Sequence, residues 1–330
     1  GDSLYPLLVA EFALRRSDYQ TALSNYMEQA PELRDSGVSA HTARLAQYLQ
    51  KDTEAVAATT LWVELEPNNL EARLTLANLL ARKGRATEAL PHMTVIVRAG
   101  GIANFTALAN GFSQLNSTQQ GELLAAVDKV HREFPDNTQL LICKALMLEA
   151  LDQKEKSLAI LQRVFEVDPR QLQAIVLEAK LRQDLGQSEN LYDRIEATLA
   201  EQPDNTRLRM QYARLLTRTD MGAARTQFQL LLDDSPNDPA LLFSLALIER
   251  EMGELTPARK KLERLVGLDK RRDEAHYYLG RIAEQEERIE DALMHYMQVN
   301  PGRDFINATR RLGSILLRAQ RQQDHSDYFM

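Results

Sequence analysis

Residues 203–206 read PDNT, inside the stretch EQPDNTRLRMQYARLL, and the same four letters stand at residues 135–138, inside EFPDNTQLLICKAL. Pro169 lies halfway between the two copies, 34 residues from each. A similar interval separates prolines along much of the chain: Pro31, Pro67, Pro135, Pro169, Pro203 and Pro236. Gly101 stands at the one expected position that lacks a proline. A fixed period of about 20–50 residues is typical of a repeat architecture.

The interior of each interval predicts two amphipathic helices. Within residues 70–103, Leu76 and Leu80 belong to one apolar stripe at helical spacing, and Met93 and Ile96 belong to a second. Gly84 separates the two stripes. A small residue recurs at the eighth position of each interval, where it allows two helices to approach closely: Ala10, Ala43, Ala77, Gly111, Ala145, Ala179, Ala213, Ala246 and Gly280.

The turns between intervals have a consistent chemistry. Proline lacks an N–H and cannot continue the preceding helix, so it ends that helix. Two residues later stands Asn or Asp, whose side chain can accept a hydrogen bond from a free N–H of the next helix. We expect this capping role for Asn69, Asn137, Asn205 and Asp238. The PDNT motif is therefore interpreted as structural punctuation.

The composition favours an all-α protein. The 330 residues are 44% hydrophobic and 26% charged, so the chain can bury a core, and 14 glycines and 11 prolines are few for its length. The net charge of −7 argues against a general nucleic-acid binder. No apolar run approaches the roughly 18 residues of a membrane-spanning helix. The single cysteine excludes an intrachain disulfide but is compatible with cytosol or periplasm.

These patterns resemble the tetratricopeptide repeat (TPR) superfamily. The matching residues include Leu279 and Gly280 with Ala292 and Tyr296, Ala246 with Gly253 and Ala258, and Ala224 with Phe228 and Pro236. The resemblance implies a TPR α-solenoid, a right-handed superhelix of helix-turn-helix repeats. It divides residues 1–330 into units 3–35, 36–69, 70–103, 104–137, 138–171, 172–205, 206–238, 239–272, 273–302 and a partial unit 303–330. The early Pro301 predicts a shortened second helix in unit 273–302, and the absence of a polar capping helix predicts further repeats beyond residue 330.

No motif in the sequence predicts catalysis, a metal site or a cofactor. The six histidines are scattered, and neither a GxGxxG nor a GxxxxGK[ST] motif is present. Cys143 lies in the apolar stretch LLICKALML, where a small core residue is expected rather than a nucleophile. Trp62 is expected to fill a gap between units. The sequence therefore predicts a protein that is not an enzyme.

The resemblance also implies where a partner would bind. In TPR proteins the concave groove is lined by positions 2, 5, 9, 12 and 13 of the first helix of each unit. Arginine and aromatic side chains, which are favoured at interface hot spots, gather at these positions. The predicted groove residues are Phe105, Leu108, Phe112, Lys180, Arg207, Arg214, Arg218, Arg250, Tyr277 and Arg281. The alternative is that the apolar members pack against neighbouring helices and that the basic members pair with acidic residues across units.

Two longer segments are similar to a narrower family. Residues 4–80, beginning LYPLLVAEFALRRSDYQ, and residues 295–316, HYMQVNPGRDFINATRRLGSIL, resemble TPR lipoproteins of pseudomonads and related gammaproteobacteria. That family implies a periplasmic, outer-membrane-anchored adaptor that brings together a carboxyl-terminal processing protease and its cell-wall hydrolase substrates. The signal and the lipidated cysteine of such a protein would precede residue 1. The alternatives are a cytoplasmic location, a scaffold for assembling a pilus or envelope complex, or the TPR segment of a larger enzyme.

Overall fold

The structure, a computed structural model, describes the backbone of residues 4–328 and the side chains of residues 5–320. Over residues 4–328 the regular elements are all helical. The chain divides into two compact units, Gly1–Ser188 and Glu189–Met330. Among the described residues, no helix combines the length and the apolar character needed to cross a membrane.

The first unit consists of helices joined by short connections, so that consecutive helices pack as antiparallel pairs. Its helices are α1 (Leu4–Arg15), α2 (Tyr19–Leu33), α3 (Ser36–Tyr48), α4 (Asp52–Leu65), α5 (Leu70–Arg82), α6 (Ala86–Arg98), α7 (Ser117–Glu133), α8 (Thr138–Ala150), α9 (Lys154–Val167) and α10 (Leu172–Asp184). The tightest pairs are α3 with α4 and α8 with α9.

The second unit repeats this organisation. Its helices are α11 (Asp193–Glu201), α12 (Thr206–Leu216), α13 (Met221–Asp234), α14 (Pro239–Glu251), α15 (Leu255–Gly267), α16 (Arg272–Gln285), α17 (Ile289–Met297) and α18 (Phe305–Tyr328). Helices α12 and α13, α14 and α15, and α16 and α17 form pairs, and α15 also packs on α16. The shortened helix predicted before Pro301 is confirmed, because α17 has nine residues whereas α15 has 13.

The predicted helix caps are confirmed. Oδ1 of Asn69 accepts a hydrogen bond from the Ala72 N–H at 3.0 Å. Asn137, Asn205 and Asp238 cap α8, α12 and α14 in the same way. Each cap contributes about 1 kcal/mol to stability. Among the prolines that mark the repeat period, Pro31 differs, because it lies inside α2 rather than in a turn.

Small residues at the eighth position lie in the core, as the sequence predicts, with one exception. Ala43, Ala77 and Ala246 are fully buried. A Cβ atom on Gly280 would stand 2.6 Å from Cε1 of Tyr296, so only glycine fits between α16 and α17. Gly111 is the exception: it is exposed, with a φ of 75°, and its Cβ would meet only Oε1 of Gln114, at 4.0 Å.

The region of Gly111 departs from the predicted helix pair. In place of a first helix, residues 104–116 form two short 3₁₀ turns, Phe105–Ala109 and Phe112–Gln114, before α7 begins. Phe105, Leu108 and Phe112 are buried in the hydrophobic core of the first unit, where they replace the packing that a longer helix would give. The prediction that these three residues line a binding surface is therefore wrong.

Trp62 lies in the core between neighbouring helices. It is buried on α4, and its Nε1 donates a hydrogen bond to Oε2 of Glu66 at 3.2 Å. The guanidinium of Arg44, on α3, lies 5.2 Å from the centre of its ring. Trp62 is therefore a core residue, and its expected place in a gap between units stays a prediction.

Candidate functional site

In the first unit, basic residues on the first helices of pairs are bound by glutamates of neighbouring pairs. Nζ of Lys180, on α10, lies 2.5 Å from Oε1 of Glu149, on α8. Arg44, on α3, makes an ion pair of 2.8 Å with Glu71, on α5. The charge of Lys180 is therefore used within the protein, and the structure favours a packing role for this predicted groove residue.

In the second unit, the corresponding arginines are differently placed. Arg207 and Arg214 are exposed on α12, and within the described residues neither makes an ion pair. Arg218 is exposed at the end of the same helix. Arg281 is half-buried on α16, where its Nη1 lies 3.4 Å from the hydroxyl of Tyr277. Arg207 and Arg214 thus leave positive charge available on α12.

In the same unit, two aromatic rings and two guanidinium groups pack together, and we call them the arginine–aromatic patch: Phe243, Arg250, Arg271 and Tyr278. The rings of Phe243, on α14, and Tyr278, on α16, meet edge to face with their centres 5.5 Å apart. Arg250 lies 5.1 Å from the centre of the Tyr278 ring, and Arg271 lies 4.0 Å from that of Phe243. Such cation–π contacts contribute about 0.5–1 kcal/mol each at exposed sites.

Helix α16 carries two adjacent tyrosines, and the sequence pattern indicated the buried one, Tyr277, rather than Tyr278. Tyr277 is 7% exposed and belongs to the core formed with Tyr296 and Ala308. Tyr278, which the repeat register did not indicate, is half-buried and contacts both Phe243 and Arg250. The prediction for Tyr277 is therefore corrected by one residue. Helical spacing could have indicated this, because Tyr277 lies three residues before Gly280 and so shares the face that packs on Tyr296.

A shallow cavity of about 200 Å³ borders the patch. Leu247, Ile248 and Tyr278 form part of its lining, and Arg250 lies at the same site. Thr217, at the end of α12, Met221, at the start of α13, and Glu251 also line the cavity. The volume suits one large apolar side chain of a bound segment, with Arg250 beside it.

A hydrogen-bond cluster holds the neighbouring helices together. The hydroxyl of Tyr296, on α17, donates to Oε2 of Glu284, on α16, at 2.8 Å, and Arg311, on α18, lies 3.0 Å from the same oxygen. Burial opposes ionisation of Glu284, but these hydrogen bonds and the nearby positive charges outweigh it and lower the pKa of its carboxyl group. The cluster fixes α16, the helix that carries Tyr278.

The described residues offer little for catalysis. Cys143 is buried, and burial raises the pKa of its thiol to about 12, so the thiol does not ionise near neutral pH. Over the described part of the chain, no group of three or more His, Cys, Asp or Glu side chains could hold a metal ion. The arrangement can bind a partner through charge and apolar contact.

The comparisons with known proteins agree with this description. Residues 243–299 match the tetratricopeptide repeat family model, and this range includes Phe243, Arg250 and Tyr278. The chain is 37% identical over 321 residues to the TPR repeat-containing protein PA4667 of Pseudomonas aeruginosa. That alignment covers 97% of this chain and 54% of the relative, so the chain spans about half the length of this curated relative.

One solved structure supports the fold, and a second is similar to a lower degree. A crystal structure of a tetratricopeptide repeat protein from Parabacteroides merdae has a TM-score of 0.50 and 15% identity, with 85% of this chain and 98% of that chain covered. Yeast Tom70 has a TM-score of 0.46 and 12% identity over 96% of each chain, a likeness that supports no conclusion about function. At such identities the likeness to the Parabacteroides protein concerns the fold alone.

Proposed function

We propose that this chain is a non-catalytic adaptor, because residues 243–299 match the tetratricopeptide repeat family, whose repeats indicate a protein-interaction scaffold. The observation that carries the proposal is the arginine–aromatic patch together with the exposed Arg207 and Arg214. Arginine and aromatic side chains are the groups that contribute most at protein interfaces. The neighbouring cavity supplies a place for an apolar anchor.

We propose further that the partners are a periplasmic carboxyl-terminal processing protease and its cell-wall hydrolase substrates. This part rests on the resemblance of residues 4–80 and 295–316 to TPR lipoproteins of pseudomonads, and the similarity to a Pseudomonas protein along nearly the whole chain is consistent with it. In this proposal the full-length protein is anchored to the outer membrane by a lipid. No nucleic acid and no cofactor take part.

The proposed mechanism requires no chemistry from the adaptor. A partner segment with acidic residues would pair with Arg207 and Arg214, and its apolar side chain would enter the cavity next to Tyr278. If another surface of the protein holds the second partner, the two partners meet at a high effective concentration. Cleavage of the substrate would then accelerate while the adaptor itself stays unchanged.

The experiment combines capture with cleavage. The purified chain is tested for binding to a carboxyl-terminal processing protease by surface plasmon resonance, and for its effect on the cleavage rate of a cell-wall hydrolase. We expect F243A/Y278A to weaken capture of one partner by about tenfold or more, since hot-spot aromatics contribute about 2 kcal/mol each. Tyr48→Ala, a change at an exposed aromatic residue of the first unit, is the matched control and should bind normally.

The outcomes separate the two parts of the proposal. If the chain captures neither protease nor hydrolase, the protease-adaptor role is wrong. If it captures them and F243A/Y278A binds like the unchanged chain, the role stands but the arginine–aromatic patch is not the binding surface. Circular dichroism of each variant confirms that the helices remain folded.

A further inference from the structure

Two histidines face each other between the helices of the last complete pair. Nδ1 of His276, on α16, lies 3.1 Å from Nδ1 of His295, on α17, and the ring centres are 5.4 Å apart. His276 is buried, and its Nε2 is enclosed without a hydrogen-bond partner among the described residues. His295 is half-buried.

The contact fixes where the protons of the two neutral rings reside. One proton must lie between the two Nδ1 atoms, because a hydrogen bond needs a donor and an acceptor. The other proton belongs on Nε2 of His295, since Nε2 of His276 has no acceptor in reach among the described residues. A buried N–H without a partner costs more than a buried lone pair, and such groups are rare in folded proteins.

A third proton has no favourable place in this arrangement. If the hydrogen bond between the Nδ1 atoms is kept, the added proton must go to Nε2 of His276, where it becomes a buried, charged N–H without an acceptor in the described part of the chain. If the hydrogen bond is given up, two N–H groups face each other at the present 3.1 Å separation. Either outcome favours separation of α17 from α16.

Other helix pairs carry a polar contact at the equivalent place, with fewer histidines. Arg73 on α5 and His92 on α6 have the same spacing of 19 residues, and Nη1 of Arg73 lies 3.0 Å from Nδ1 of His92. Arg209 on α12 and Gln227 on α13 are 18 residues apart, with Nη1 of Arg209 2.7 Å from Oε1 of Gln227. The chain thus contains three versions of this contact: two histidine rings in α16–α17, one in α5–α6 and none in α12–α13.

We propose that the His276–His295 contact is an acid-sensitive clasp that holds α17 against α16 at neutral pH and releases it under mildly acidic conditions. The clasp acts locally in residues 272–297, and helix pairs without histidine at this place stay closed. Because α16 also carries Tyr278 and Arg281, release would loosen one side of the candidate binding surface. That consequence for binding rests on the proposed function, whereas the release itself does not.

Burial and the surrounding charges together favour the neutral state of both imidazole rings. Arg272 and Asp273 on α16 act on His276, and Asp291 on α17 and Arg288 just before it act on His295. Among the described residues, no charge of α15 or α18 is a cause of the pKa shift of either ring. Burial is the main cause that lowers the pKa of both imidazoles, and His295 and Arg272 lower that of His276 further. Asp273 and Asp291 act in the opposite direction without reversing the shift.

The sign of the pH effect follows from this direction. A histidine whose pKa is lower in the folded protein takes up a proton on opening, so the closed state loses stability as the pH falls below the ordinary histidine pKa of about 6.5. Above that pH the clasp is fully effective. Between pH 7.5 and 5.5, each proton taken up on opening can raise the opening equilibrium by up to about tenfold.

Hydrogen exchange at pH 7.5 and 5.5, corrected for the intrinsic pH dependence, tests the proposal on the whole chain. We expect the local opening equilibrium of α16 and α17 to rise by about tenfold or more, that of α5 and α6 by less, and that of α12 and α13 to stay unchanged. NMR titration of the histidine rings should place the midpoints of His276 and His295 below the ordinary histidine pKa of about 6.5.

The matched variant is H276Q/H295Q, in which the two amides can still bond to each other and nothing titrates. Its α16 and α17 should exchange equally at both pH values. In the unchanged chain, the proposal would be overturned if the opening equilibrium of α16–α17 changed between the two pH values no more than that of α12–α13. Titration midpoints of His276 and His295 at the ordinary histidine pKa would also overturn it. If release occurs and partner binding does not change with pH, the clasp stands and only its link to the proposed function is wrong.

Discussion

The two compact units use basic residues on equivalent helices for different purposes. In residues 1–188, Arg44 and Lys180 are neutralised by Glu71 and Glu149 of neighbouring helix pairs. In residues 189–330, Arg214 occupies the same position of its helix pair as Arg44 and Lys180, yet within the described residues it has no ion-pair partner. A basic residue at this repeat position can therefore stabilise the packing of helix pairs or remain available to a partner. The outcome depends on whether the neighbouring helix pair supplies a carboxylate.

Aromatic side chains follow the same division. Phe105 and Phe112 in the first unit are fully buried and belong to its core. Phe243 and Tyr278 in the second unit are half-buried and contact guanidinium groups. The first unit thus uses these aromatic residues for stability, whereas the second unit keeps two of them at the surface.

The largest expected effect concerns these aromatic residues. Phe105→Ala should lower the free energy of unfolding by about 3–5 kcal/mol, because it leaves a cavity in the core. Phe243→Ala should cost clearly less stability, since its ring is partly solvated already. Urea unfolding followed by circular dichroism measures both. Equal losses in the two variants would remove the distinction between a core phenylalanine and a surface phenylalanine.

Charge reversal tests the division of the basic residues. R207E/R214E should weaken binding of an acidic partner segment by about tenfold or more and reduce its salt dependence, because unpaired charges at an interface attract the partner. R44E/K180E should change binding little, since those charges already meet glutamates. Titration calorimetry at two salt concentrations gives the comparison, and similar losses for both variants would show that ion pairing does not separate the units.

The smallest expected effect is the coupling between Lys180 and Glu149. A double-mutant cycle with Lys180→Met and Glu149→Gln should give a coupling energy below about 1 kcal/mol, as is usual for exposed ion pairs. The Lys180 side chain is 49% exposed, which allows water and salt to screen the pair. A much larger coupling would mean that the ion pairs of the first unit organise its stack rather than merely neutralise charge.

Much of the fold could be predicted because its signals are local. The Asn and Asp caps act within one turn of backbone, and the buried alanines at the eighth position follow from helical spacing. Residues 104–116 escaped the prediction, because the sequence keeps the period of the repeat while the chain forms 3₁₀ turns around Gly111. The period alone cannot distinguish a first helix from two turns that bury the same apolar side chains.

The site was harder to predict, since it depends on contacts between helix pairs. Tyr277 and Tyr278 are neighbours in sequence and point about 100° apart on a helix, so a register error of one residue exchanges core and surface. Whether an arginine or a lysine meets a carboxylate depends on side chains about 30 residues away, as with Lys180 and Glu149. No spacing rule within one repeat contains that information.

The burial of Trp62 has a practical consequence for studying the two units. It is the single tryptophan of the chain, and it lies in the core of residues 1–188 beneath Arg44. Its fluorescence therefore reports on the first unit alone. Tyrosines lie in both units, as Tyr26 and Tyr296 show, so their near-ultraviolet dichroism reports on the whole chain. An emission shift at a lower denaturant concentration than the loss of total dichroism would show that the first unit unfolds first. Without any label, the chain thus carries an optical reporter that is confined to one of its units.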